Sequence, residues 1–90
     1  MMIDFEKEVD KVSECLNTIS EVCCMKFEFF VYPKYSIQGT KTIIQFNRHK
    51  KIEILLGYNL PKQEIRKRIL ENIICLMRGS LDNYENFYRN

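Results

Sequence analysis

The sequence predicts an α+β domain, a three-stranded antiparallel sheet with helices packed on one face, in the order α-β-β-β-α and followed by a short C-terminal helix. Three observations predict it. Apolar residues at Phe5, Val9, Val12, Leu16, Ile19 and Cys23 recur at helical spacing. Between Met25 and Gly57 the period changes to two, and from Ile65 through Ile69, Ile73 and Leu76 it returns to the helical value.

The first helix is expected over roughly residues 4–23, with Asp4 as N-cap and Glu6 and Glu8 in the first turn, where the helix dipole favours acids. A first strand is expected from Met25 to Tyr32, with Met25, Phe27, Phe29 and Val31 on one face and Lys26, Glu28, Phe30 and Tyr32 on the other. Pro33 is expected to end it, and the loop from Lys34 to Gly39 then exposes Tyr35. Residues 40–57 form a hairpin. With a three-residue turn centred on His49, Phe46 lies opposite Ile52, Ile44 opposite Ile54 and Thr42 opposite Leu56, so one face is apolar throughout. A second helix is expected to begin near Pro61 and end at Gly79, its C-terminal half deeply buried by Leu70, Ile74 and Met77, and Ser80 to cap a third.

Ninety residues make a single α+β domain, 1–90, that buries about 60% of its unfolded surface, so most apolar side chains are needed for the core. With no signal peptide before the first helix and no apolar run near the length of a membrane span, the protein is expected to be cytoplasmic. There Cys15, Cys23, Cys24 and Cys75 stay reduced, and Cys15, Cys23 and Cys75 fall on or beside apolar helical stripes. The net charge of +2 hides a division along the chain. Residues 1–25 carry six acids against two bases, residues 26–68 carry ten bases against three acids, and the remainder is nearly balanced. The result is a molecular dipole able to steer an anionic partner.

The sequence speaks against an enzyme. His49 is the sole histidine and sits on an exposed turn, away from cysteines expected on buried helix faces, so no nucleophile–base pair is in reach. Cys23, Cys24 and His49 offer at most three ligands at poor spacing, with no Cys-x-x-Cys pair, so neither a metal nor another cofactor is expected. Gly39, Gly57 and Gly79 are isolated and make no phosphate loop.

Two surfaces remain. One is basic: Arg48, Lys50 and Lys51 at the hairpin, and Lys62, Arg66 and Lys67 in the first turns of the second helix, where the dipole disfavours cations. If these share one side they make a phosphate-sized positive field. The other is the apolar patch of Phe30, Tyr32, Ile43 and Leu55 on the sheet face away from the helices, a face for a homodimer or for docking of the aromatic tail that holds Tyr84, Phe87 and Tyr88.

The element order, with a basic start to the last helix, resembles the double-stranded-RNA-binding domain. By position that resemblance implies phosphate contacts from Lys34, Lys62, Arg66 and Lys67; the loop here reads Pro33-Lys34-Tyr35-Ser36-Ile37-Gln38-Gly39 in place of the family's Gly-Pro-x-His. The same order with a C-terminal helix, the compact length and the tail Asp82-Asn83-Tyr84-Glu85-Asn86-Phe87-Tyr88 resemble small phage-encoded anti-CRISPR proteins. That resemblance implies an inhibitor bound to a nucleic-acid-binding effector. The reading taken forward is a non-enzymatic small binding protein that occupies a surface of a protein or ribonucleoprotein partner. Its contact residues are Arg48, Lys50, Lys51, Lys62, Arg66 and Lys67, with Tyr84, Phe87 and Tyr88 as anchors. A direct nucleic-acid binder and a homodimeric structural module are the alternatives.

Overall fold

The computed structural model describes residues 3–34 and 39–89, with side chains as far as Met77. Its elements are α1 (Phe5–Val22), β1 (Glu28–Lys34), β2 (Gly39–Gln45), β3 (Lys51–Gly57) and α2 (Lys62–Arg89). The three strands form one antiparallel sheet with β2 in the centre. The α-β-β-β-α order is the one the periodicities predict.

Asp4 caps α1, its Oδ1 accepting from the Lys7 N–H at 3.1 Å, and Glu6 and Glu8 occupy the first turn. The other end departs from expectation. Cys23 is the C-cap and exposed, not the last residue of the buried stripe. Cys24 adopts φ 52°, the left-handed turn that glycine usually supplies, and its N–H bonds the Glu21 carbonyl while the Met25 N–H bonds the Ser20 carbonyl. This is the paired backbone closure of a Schellman motif. The Ser20 hydroxyl donates back to the Met25 carbonyl at 2.7 Å, fixing the exit toward β1.

β1 starts later and runs further than predicted. Pro33 lies inside it, opposite Thr40, and does not end it. An edge strand tolerates proline because one row of its N–H groups faces no partner. The hairpin register is also two residues away from expectation: Ile44 pairs with Ile52, Thr42 with Ile54 and Thr40 with Leu56. A shift of two keeps every side chain on its face, so the apolar surface survives it. The cause is Asn47. Its Oδ1 accepts from the His49 and Lys50 N–H groups at 2.8 and 3.0 Å, and the Phe46 N–H bonds the Lys50 carbonyl, which closes the loop at Asn47-Arg48-His49.

The core joins Val12, Cys15, Leu16 and Ile19 of α1, Ile44, Ile54 and Leu56 of the sheet, and Ile65, Ile69 and Ile73 of α2. Both helices therefore cover the same sheet face. Thr40 and Thr42 are buried in this layer, and their hydroxyls have no hydrogen-bond partner among the described residues, at a cost of about 1–3 kcal/mol each.

Two expectations for α2 are corrected. It is one 28-residue helix that continues through Gly79 and Ser80 without the predicted stop, cap and third helix. A glycine inside a helix costs only about 1 kcal/mol relative to alanine, too little to end it alone. Among its described side chains Ile65, Ile69 and Ile73 are enclosed, whereas Ile74 and Met77, expected to be deeply buried, are exposed. At about 1.5 Å per residue α2 is about 42 Å long, roughly twice the length of a seven-residue strand, so it outruns the layer it packs on.

Candidate functional site

Because side chains alternate along each strand, the residues between the core positions point to the face that no helix covers. Successive rows across the three strands read Glu28-Gln45-Lys51, Phe30-Ile43-Glu53 and Tyr32-Lys41-Leu55. Phe30 is 51% exposed, Tyr32 42% and Leu55 56%, so the patch predicted from the alternation is present and open among the described residues. Cross-strand neighbours this close act as one surface.

Charges are laid over that surface in a definite order. Glu53 lies between two lysines, Lys41 Nζ at 3.4 Å and Lys51 Nζ at 3.6 Å. At the hairpin end a shallow cleft at the edge of the sheet brings Lys26, Glu28, Gln45, Asn47 and Arg48 together with Phe27 and Phe46 of the core-side face, and toward the other end Lys34, Lys41, Glu53 and Leu55 line a second. Among the described residues of the face and its two bordering clefts, Lys26, Lys34, Lys41, Arg48 and Lys51 stand against Glu28 and Glu53, five bases to two acids and a local balance of +3.

The basic residues predicted to act together are divided. Arg48 and Lys51 sit at the hairpin end of the open face, while Lys50, opposite Phe46 and two residues before Ile52, falls in the core-side phase. Lys62, Arg66 and Lys67 belong to the helix layer on the opposite side of the sheet, where α2 begins after the far end of β3. Lys62 is ion-paired with Glu14 of α1, and Arg68 Nε donates to Glu64 Oε1 at 3.2 Å. The acidic first helix thus offsets cations placed against the α2 dipole, and the single positive field imagined from the sequence does not form. Tyr84, Phe87 and Tyr88 lie where side chains are outside the described residues, and Tyr35 is outside them altogether.

Cysteine placement also differs from the sequence reading. All four are free, but only Cys15 is buried, while Cys23, Cys24 and Cys75 are exposed. Burial pushes the Cys15 thiol above its ordinary range, against the opposing pull of Arg66 and Lys62, and its Sγ–H points to the Lys62 carbonyl at 3.6 Å. A thiol held protonated in the core packs as a small apolar group. Among the described residues no group of three or more His, Cys, Asp or Glu side chains stands close enough to hold a metal ion. No described helix is long and apolar enough to cross a membrane.

Lys26 and Lys41 escaped the sequence-based site, and Lys34 entered it only as an implied duplex-RNA contact. The signal was present, since each occupies the same alternation phase as the exposed aromatics. A second residue the sequence undervalues is Glu8, nearly buried, whose Oε1 accepts from the Asn59 N–H at 3.2 Å and whose Oε2 pairs with Lys11 at 3.0 Å. It ties α1 to the left-handed Asn59 (φ 63°) in the link between β3 and α2, and so fixes where α2 starts. Compared with known proteins, the chain matches no family model, no curated protein and no solved structure.

Proposed function

We propose that the protein is a non-enzymatic binding module that occupies a surface of a macromolecular partner with the open face of its sheet. One observation carries this reading: Phe30, Tyr32 and Leu55 stay exposed together on one face while two helices bury the other. A contiguous apolar patch rimmed by charge is the usual mark of an interaction site on a small soluble domain. Inhibition of a nucleic-acid-binding effector, in the manner of the anti-CRISPR proteins, is the most specific form of the proposal. The duplex-RNA mode is less well supported, because Lys62, one of the phosphate contacts it implies, is already ion-paired with Glu14. A second copy of the chain on this face is the remaining alternative.

A photo-crosslinking residue at Leu55, compared with one at Gln63 on the exposed side of α2, tests the proposal in lysate of the cells that make the protein. Both positions are exposed, so neither label disturbs the core. Adducts to a macromolecule are expected from position 55 and not from position 63. Equal yields, or yield at 63 alone, would refute a function centred on the sheet.

A further inference from the structure

We infer that the open face takes a single-stranded nucleic acid, with Phe30 and Tyr32 as stacking platforms and the surrounding lysines and Arg48 as phosphate contacts; this rests on the binding function proposed above. Phe30 and Tyr32 are two residues apart on an edge strand, so their rings project from the same face about 6.7 Å apart. That is about twice the 3.4 Å step between stacked neighbours in a duplex, which suits bases spread out one per ring. A flat aromatic face serves a base irrespective of its identity, whereas a duplex keeps its base faces inside the stack and has only phosphates to offer.

The charges complete the arrangement. Lys26 and Arg48 lie beyond Phe30, and Lys34 and Lys41 lie beside Tyr32, so cations stand at both ends of the aromatic pair along the path of a strand. A local balance of +3 around two exposed aromatics matches an anionic polymer with flat bases better than an acidic protein surface, which would use the charge but not the ring faces. Glu53 is the one acid at the centre. It holds Lys41 and Lys51 in place and also opposes the incoming phosphates. Its removal therefore tightens binding.

The test is fluorescence anisotropy with labelled oligothymidylate and oligouridylate of about 16 nucleotides, and with duplexes of matching length, at about 50 and 200 mM salt. Binding to single strands, weaker for duplex, is expected to fall with a log–log salt slope of about −2 to −3, corresponding to three or four phosphate contacts at ~0.7 each. Phe30→Ala and Tyr32→Ala are each expected to weaken it by about 5- to 100-fold. Both side chains are exposed, and an unchanged melting curve checks that the fold is intact. Glu53→Gln is expected to bind more tightly, and Lys67→Ala on α2 to bind as the parent does. Comparison of oligouridylate with oligodeoxyuridylate, which differ only in the 2′-OH, assigns the ligand to RNA or DNA. The inference is overturned by absence of single-strand binding at low salt, by equal or tighter duplex binding, or by full affinity in both aromatic variants. If no oligonucleotide binds while a crosslinker at position 55 still captures a protein, this inference falls and the binding function stands. If position 55 captures nothing beyond position 63 as well, both fall.

Discussion

Ile69→Ala is expected to lower the unfolding free energy by about 2–5 kcal/mol, the range for deleting most of a fully enclosed aliphatic side chain. Ile69 has no exposed surface and lies in the cluster that joins α1, the sheet and α2. A chain of 90 residues has only about 5–15 kcal/mol to lose, so this one change removes a substantial share of the total. Urea denaturation measures the loss, and an unchanged m-value shows that the two end states stayed the same. The informative control is Ile74→Ala. That side chain is 49% exposed and should cost about 1 kcal/mol or less, since little area leaves water when it folds. Similar losses at the two positions would mean that α2 presents a different face to the sheet.

Gly39→Ala is expected to destabilise by about 1–3 kcal/mol for a different reason. A Cβ at position 39 would overlap the Leu56 carbonyl oxygen, with the Leu56 carbonyl carbon 3.2 Å and the Gly57 Cα 3.5 Å away. These are backbone atoms of the neighbouring strand and have no rotamer into which to retreat. Relief requires β2 and β3 to part at the end of the ladder, next to the row that carries Lys41 and Leu55. The matched control is Gly57→Ala, where an added Cβ meets nothing within 4 Å. A drop in melting temperature of roughly 4–8 °C per kcal/mol for Gly39→Ala, with little change for Gly57→Ala, is the expected pattern. Equal effects would contradict the close approach of Gly39 to β3.

The faces of the strands were legible because a period of two is a strong signal and survives small errors of register. Ile44, Ile54 and Leu56 are buried, and Phe30, Tyr32 and Leu55 exposed, as the alternation predicts, even though the pairing differs by two residues. The register itself depended on one side-chain hydrogen bond acceptor, Asn47, which hydropathy does not weigh. The end of α1 falls within a residue of the expected one, and only the way it closes was hidden in the sequence. The Schellman closure normally announces itself by glycine, and here Cys24 takes the left-handed position. Gly79 erred in the opposite direction, as a glycine that stops nothing.

The proposed interaction surface was half legible. Phe30, Tyr32, Ile43 and Leu55 were placed together correctly from alternation alone. The basic residues were grouped by nearness in sequence, and the chain reversal between β3 and α2 divides that group between two sides of the sheet. Lys62 then finds Glu14, a partner far away in the sequence that only the packing of α2 on α1 brings close. The lysines that do flank the aromatics come from three separate stretches, and only the sheet collects them.

The measurement that tests the central claim most directly is a chemical-shift map of the ¹⁵N-labelled protein during titration with the single-stranded oligonucleotide. Perturbations are expected at the amides of Phe30, Tyr32, Lys41, Ile43, Glu53 and Leu55, with little change from Lys62 to Lys67. Shifts concentrated at the start of α2, with the sheet silent, would contradict the account and return the interaction to the helix layer.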